Sequence, residues 1–497
     1  VSDPSAPGTV AGDRRPPNVL LVILDCARAK NFRASEGART ASTPRIDALA
    51  QRGTRFPRAV APANWTVPSH MSIFTGAYPN VHGLRTFHRG EAPSETIAGW
   101  LSRRGYESML LTEMIHLVGD YGLEAGFDRK VARRMGVSDD ERTATNRLAS
   151  RSDALYAPWL RDLLERLPPA IVPLNLVNHP QEVAYKREVC GTHLLEAFET
   201  WIGTRDRARP FFATFNLVDA HEPYPLVPNG HRVGPLARWY ARTPRYYLLA
   251  VPGLKELVPW PELLAGYLQC IEEADRKVGR IVDALAAAGE LDRTLLIVTA
   301  DHGQSFGEAG NIFHGCGTTD SITRVPLVVV PPAEWSVPAR VGRWTSLCDV
   351  FSWVKSTVSG RPPYGEDGVA PRPFMLSAPP TGLVFCEGAP ASDPNRALRG
   401  IQTGASWNHR QIAVYHDEEK LVLNLVTGDV MRWSMARGVD PDDRRAERLD
   451  PATTEATRRE FFGAYEATDL ARRGSAPDTG IPGENELDRR LRSWGYE

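Results

Sequence analysis

Six residues of this chain have types and settings that suit ester chemistry: Asp25, Thr66, His221, Asp301, His302 and His314. Asp25 closes the apolar run NVLLVIL, Asn18 to Leu24. His221 follows the run Phe211 to Val218, in Asp219-Ala220-His221. Asp301 and His302 close TLLIVTA, Thr294 to Ala300. Thr66 stands just ahead of a short apolar helix pattern, with Pro68 suited to its first turn and Gly76 to its end. A hydroxyl there faces free backbone N–H groups and the positive end of the helix dipole, a place to hold a tetrahedral anion. Asp25, Asp301, His302 and the Thr66 oxygen make a mononuclear site for a divalent metal, which would lower the Thr66 hydroxyl pKa and make it a nucleophile near neutral pH. His221 and His314 are left as donors to an oxyanion or a leaving oxygen. Taken singly, each has a plainer reading: Thr66 as an N-cap, Asp25 as the cap of the next helix, His314 as a loop residue bonded to backbone. Their common position at strand and helix ends is what favours chemistry.

That position depends on the elements. The three apolar runs lack polar alternation, as strands buried on both faces of a parallel sheet do. Open α/β sheets place their sites beyond the carboxyl ends of such strands. Thr43 to Gly53 reads as a helix, Thr54 to Val60 as a short strand, Ser94 to Gly105 as a helix capped by Ser94, and Glu107 to Leu111 as a strand. Glu182 to Trp201 and Trp260 to Glu290 read as helices, Val325 to Val330 as a strand and Ser346 to Val358 as a helix. This alternation predicts an α/β fold, a mostly parallel sheet flanked by helices. After Ser377 the runs Leu383 to Phe385, Gln411 to Tyr415, Lys420 to Val426 and Val430 to Trp433, with turns at Asp417-Glu418-Glu419 and Thr427-Gly428-Asp429, predict a small antiparallel sheet. A helix over Thr453 to Leu470 follows. The expected parts are a disordered tail over 1–17, a catalytic domain over 18–376 and a C-terminal subdomain over 377–497. Two irregular, aromatic-rich stretches, within Glu113 to Pro210 and over Arg232 to Trp260, read as a lid or pocket wall, or as plain surface insertions.

Composition narrows the function. With 59 Lys and Arg against 60 Asp and Glu in 497 residues, the chain lacks the basic excess of a general nucleic-acid binder. No apolar run is long enough to span a membrane. The polar start, Val1 to Pro17, does not read as a signal peptide. The 6 Cys, at 26, 190, 270, 316, 348 and 386, are scattered without a CxxC pair, which fits reduced thiols in a cytoplasmic enzyme. Gly303-Gln304-Ser305-Phe306-Gly307 matches the GxSxG pattern of serine hydrolases, but Glu308-Ala309-Gly310-Asn311 does not continue as the required helix.

Five segments together resemble the sulfatase family of the alkaline phosphatase superfamily: NVLLVILD, TPRIDALAQRGTRF, WTVPSHMSIFTGAYPNVHG, VDAHEPY, and ADHGQSFGEAG with FHG. The resemblance implies an alkaline-phosphatase-like fold, one divalent metal ion and a small-molecule ester substrate. It also implies that His221 and His314 contact the transferred group or the leaving oxygen. Sulfatases use a Cys-x-Pro-Ser-Arg motif whose Cys becomes formylglycine, and here the matching residues run from Thr66 to His70. Thr66 therefore resembles the threonine nucleophile of the superfamily's phosphodiesterases and phosphoethanolamine transferases. Cys26 replaces a common second acidic residue, so the expected set is two Asp, one His and Thr66. Imidazole in that set leans toward manganese or zinc, with calcium or magnesium as alternatives. A second ion on Asp219, His221 and His314 is a further reading, and Asn64 and Arg28 lie beside the site. The implied function is hydrolysis or transfer of phosphate esters (phosphodiester, phosphonate ester or phosphomonoester) through a phospho-Thr66 intermediate. The alternatives are a sulfate-ester hydrolase or sulfuryl transferase without formylglycine, and a non-catalytic binding protein on the same fold.

Overall fold

The computed structural model describes residues 15–37, 40–84, 95–118, 121–132, 190–222, 224, 260–308, 312–315, 317–371, 382–388, 411–425, 427–435 and 446–472. In chain order the first strands are β1 (Asn18–Leu24), β2 (Thr54–Arg55), β3 (Ala59–Val60), β4 (Glu107–Thr112), β5 (Arg129–Ala132) and β6 (Phe211–Leu217). They are followed by β7 (Thr294–Thr299), β8 (Ser305–Phe306), β9 (Ile312–Phe313), β10 (Leu327–Val330) and β11 (Thr345–Ser346). Among the described residues the main sheet has seven strands in the order β2-β10-β7-β1-β6-β4-β5. β1 lies between β7 and β6 and runs parallel to both, and β4 and β5 continue the parallel run. Only β10 opposes its neighbours β7 and β2. The apolar runs of β1, β6 and β7 are buried throughout, as continuous hydrophobic strands at the centre of a covered sheet must be.

Helices cover the sheet. α1 (Pro44–Arg52) begins at its proline, and α2 (Thr66–Thr75) is buried along its whole length and ends at Gly76, whose φ of 65° is the left-handed closing residue. Thr66 is the first residue of α2 and Trp65 is the N-cap, one position earlier than the sequence suggested. α3 (Pro79–His82) follows, and α4 (Ile97–Ser102) is capped by Thr96, whose hydroxyl accepts from the Gly99 N–H; Ser94 lies outside the described residues. The long helix Trp260–Ala287 and the helices Thr192–Thr204 and Asp349–Val358 complete the layers. The Thr54 to Val60 segment is two short strands: Pro57 interrupts it, and β2 pairs with β10 while β3 pairs with β11. β5 was not foreseen, because RKVA is an exposed edge with no apolar pattern. Most of the two aromatic-rich stretches falls outside the described residues.

The second sheet is antiparallel, in the order β12 (Val384–Gly388), β13 (Gln411–His416), β14 (Glu419–Asn424), β15 (Val430–Ser434) and β16 (Glu447–Arg448). A helical run over residues 451–472 follows, with a π turn at Arg458–Phe462. At the junction of the sheets, the buried Lys420 ammonium donates to the Thr318 carbonyl at 2.6 Å and to Asp320 Oδ1 at 2.9 Å. Tyr415 donates to the same oxygen at 2.8 Å. Asp320 opens a helical turn, Asp320–Thr323. Its Ile322 and Ser321 carbonyls accept from the Gly303 and Gln304 N–H groups at 2.6 and 2.8 Å. The small sheet thus supports the loop that follows β7. Among the described residues no helix is long and apolar enough to cross a membrane, and no disulfide forms.

Candidate active site

β1, β6 and β7 end side by side, so the residues that follow them meet at one sheet edge, with the N-terminus of α2 facing them. Asp25, Asp301 and His302 are fully buried there, and Thr66 is 5% exposed. His302 Nδ1 faces the Gly303 carbonyl at 2.9 Å and so carries the proton, which leaves Nε2 as the acceptor nitrogen. That Nε2 lies 3.2 Å from Thr66 Oγ1, 3.3 Å from Asp301 Oδ2 and 4.0 Å from Asp25 Oδ1. Two ligands at about 2.1 Å from one tetrahedral cation lie about 3.4 Å apart, so these separations suit one small cation. Asp301 Oδ1 accepts from the Cys26 and His302 N–H groups, while its Oδ2 is buried with no hydrogen bond among the described residues. An orphaned carboxylate oxygen facing an acceptor nitrogen is the arrangement a cation would complete.

The charges agree. Burial and the nearby Asp25 charge push Asp301 up to about 7. Asp25 is driven up by burial but held down, to about 2, by His221, His302, His70 and the Asn216 amide. Two carboxylates this close do not both ionise readily without a positive charge between them. Asn216, on β6, donates to Asp25 Oδ2 at 3.1 Å. His70, one helical turn after Thr66, places Nδ1 2.9 Å from the Thr66 carbonyl and 3.4 Å from Asp301 Oδ2. It is fully buried and braces the helix start against the ligand set.

Around this set lies a second group. His221 and His314 meet edge to face at 5.0 Å between ring centroids, and His302 and His314 lie tilted at 4.6 Å. Burial, with His302 and His221 nearby, pushes His314 down to about 3, so it is neutral at pH 7 and acts as a hydrogen-bond donor or lone-pair ligand, not as an acid. It is not a backbone-bonded loop residue: its Nδ1 meets Gln304 Oε1 at 2.8 Å. Asp219 turns away, its carboxylate paired with the buried Lys277, and is not part of the cluster. Glu222 takes its place, 3.7 Å from His221 Nδ1 and 3.8 Å from His314 Nδ1. Glu222, Asn216 and Gln304 were not singled out from the sequence, although Glu222 adjoins His221 and Gln304 follows His302 by two positions. Arg28 is buried, bonded to Glu308 and packed over Phe306, and Asn64 donates to the Gly317 carbonyl. Ser305 is buried in β8, its hydroxyl 3.0 Å from Ser321 Oγ, and its strand turns to β9 and not into a helix. That excludes a nucleophile elbow.

Comparison with known proteins agrees with this geometry. The sulfatase family model matches residues 17–354, more than half of the chain. The chain belongs to the sulfatase family. An arylsulfatase of Clostridium perfringens is 22% identical over 339 residues, covering 64% of this chain and 69% of the relative. A mouse steryl-sulfatase is 25% identical over 429 residues, covering 71% of this chain and 63% of the relative. The chain therefore spans about two thirds of the length of these curated relatives. Among solved structures, the phosphonate monoester hydrolase of Agrobacterium radiobacter superposes with a TM-score of 0.54 at 20% identity over 96% of both chains. The phosphonate monoester hydrolase SpPMH from Silicibacter pomeroyi gives 0.57 at 21% identity, over 94% of this chain and 98% of its own. These likenesses show a sulfatase fold. The family generally binds a divalent metal, and Asp25, Cys26 and His302 offer donor atoms within 4.8 Å of one another.

Proposed function

We propose that this sulfatase-family protein is a metal-dependent phosphoesterase or phosphotransferase with Thr66 as nucleophile. The observation that carries the reading is Thr66 Oγ1 beside His302 Nε2 and the two aspartates, at the first residue of a buried helix. Asp25, Asp301, His302 and Thr66 would hold the cation, with manganese or zinc favoured. When bound, the cation supplies Lewis-acid charge that favours the Thr66 alkoxide and the anionic ester.

Thr66 Oγ1 attacks phosphorus in line; the Oγ1–P bond forms, the bond to the leaving oxygen breaks, and the hydroxyl proton ends on the departing alcohol. The N–H groups at the start of α2 face the ester oxygens. His221 and His314 answer the charge that grows on the leaving oxygen. An acceptor, water or an alcohol, then takes the phosphoryl group from the other side and Thr66 regains its proton. A phosphodiester, phosphonate ester or phosphomonoester all fit this sequence, and the likeness to two phosphonate monoester hydrolases supports it.

The relatives' names support a second reading, sulfate-ester hydrolysis or sulfuryl transfer. A formylglycine hydrate expels sulfate by collapsing to an aldehyde, and a threonine sulfate has no such route, so the phosphorus reading is preferred. Hydrolysis of aryl phosphate monoesters, diesters, phosphonates and sulfates across divalent metals, with Thr66→Ala in parallel, tests the choice. Turnover of a phosphorus ester lost in the mutant supports the reading. Turnover of sulfate alone overturns it.

A further inference from the structure

Cys26 stands where a second metal-binding acid is common in the family, and the structure gives it new neighbours. The Cys26 thiol, one ring nitrogen each of His221 and His314, and a Glu222 carboxylate oxygen all lie within 4.8 Å of one another. We propose that these four residues form a second cation site, beside the first, selective for a thiophilic divalent ion of the zinc class. One sulfur, two imidazoles and one carboxylate make a four-coordinate zinc donor set, and one that calcium and magnesium do not favour.

The donors are held, not loosely gathered. Cys26 has φ 65°, a left-handed backbone uncommon outside glycine. Its N–H donates to Asp301 Oδ1 at 3.3 Å, and its carbonyl accepts from the buried Tyr267 hydroxyl at 2.9 Å. Those bonds fix a conformation that puts Sγ 3.3 Å from Asp25 Oδ1 and 3.5 Å from His314 Nδ1. The buried Gln304 amide orients two donors at once: its nitrogen donates to Glu222 Oε2 at 2.7 Å and to Tyr224 Oη at 2.8 Å. Its oxygen therefore faces His314 Nδ1 at 2.8 Å and holds that ring in place. His221 Nδ1 faces the Glu222 carbonyl at 2.7 Å. Hydrogen bonds of this kind orient the side chains around a metal site.

Charge points the same way. Among the described residues, Asp25, Asp301 and Glu222 have ion-pair contacts only with histidines. Among the described residues, Arg28 is paired with Glu308 and Lys277 with Asp219. Three carboxylates call for more positive charge than one cation site supplies. Cys26 also belongs to the Asp25 and His302 group, so its sulfur is shared by the two sites. In the reaction proposed above, a cation bound here would supply positive charge near the leaving oxygen, with His221 and His314 among the residues that would hold it. The donor set itself does not depend on which ester is cleaved.

The test is cobalt(II) titration of the metal-stripped full chain, read by absorbance and by bound metal. The expected result is a second equivalent of cobalt with a near-ultraviolet thiolate-to-cobalt band. Cys26→Ser abolishes the band, Glu222→Gln and His314→Ala remove the second equivalent, and Gln304→Ala weakens it by about 10-fold to 100-fold. Thr66→Ala keeps the band, which separates this site from the catalytic reading. Circular dichroism confirms that each variant is folded. Cobalt binding without the band, a band that survives in both Glu222→Gln and His314→Ala, or no bound cobalt overturns the proposal.

Discussion

Two clusters of buried charge adjoin the His302–Gln304 loop, and they are built to opposite rules. At the junction of the sheets Asp320 meets Lys420 at 2.9 Å, Arg324 at 3.8 Å and the Tyr415 hydroxyl. Burial drives its pKa up, but the Lys420 and Arg324 charges and the hydrogen bonds from Lys420 and Tyr415 bring it below the usual range, so its charge is matched by cations of the chain itself. At the site Asp25, Asp301 and Glu222 have, among the described residues, ion-pair contacts only with imidazoles, and Asp301 is pushed up to about 7. Buried charge of the first kind fixes how two sheets dock. Charge of the second kind leaves room for a cation from outside. The difference separates structural from functional polar groups better than burial does, since Lys420 and Asp301 are both buried.

The sharpest break is at the site. Thr66→Ala, measured by kcat/KM on the preferred ester, is expected to lose on the order of 1000-fold or more with no loss of fold. The matching break at the junction is in stability: Lys420→Met strands Asp320 and costs roughly 3–5 kcal/mol in denaturant unfolding. Adding Asp320→Asn to that variant restores most of the loss, because no charge is then left alone. Metal should act on one cluster only. A divalent ion at a hundred times its Kd raises stability by about 2.7 kcal/mol, and Asp301→Asn abolishes that increment while Lys420→Met leaves it unchanged. If Lys420→Met removed it, the clusters would not be independent.

Acid separates the clusters in the other direction. Asp320 has a folded pKa below its unfolded value of about 3.8. Its contribution is therefore complete above about pH 4 and is lost as pH falls through the folded value. Asp320→Asn should flatten the dependence of Tm on pH below about 4 and leave the neutral range alone. The smallest effect is expected at Ser305, which bonds only within the loop network: Ser305→Ala costs about 1 kcal/mol and leaves turnover unchanged. Loss of turnover there would revive the serine-hydrolase reading.

The sequence made the main sheet readable where burial is total. Asn18–Leu24, Phe211–Leu217 and Thr294–Thr299 are apolar on both faces, so pattern and structure coincide, and the residues after them fall at one edge. Edge strand β5 carries no such signal, and Ser94 was preferred to Thr96 as a cap because both are good capping residues. The site was legible as single residues: Asp25, Asp301, His302 and Thr66 do converge. The distribution of contacts among polar neighbours was not, because it depends on side-chain direction across the fold. Nothing in Asp219-Ala220-His221-Glu222 says that Asp219 turns to Lys277 and Glu222 turns inward. Nor does Cys26 reveal, as a letter, that its backbone is left-handed.

Gly303 is where the two clusters touch. Its N–H donates to Ile322 at 2.6 Å, and a Cβ added there would come within 2.1 Å of the Ser321 carbonyl oxygen. No slack separates the turn that Lys420 holds from the loop that carries His302. Heat inactivation should therefore precede melting of the parallel core: once the five-stranded sheet loosens, His302 loses its seat while β1, β6 and β7 are still paired. That outcome would make the small sheet, which among the described residues contributes no member of the candidate site, the element that limits heat tolerance.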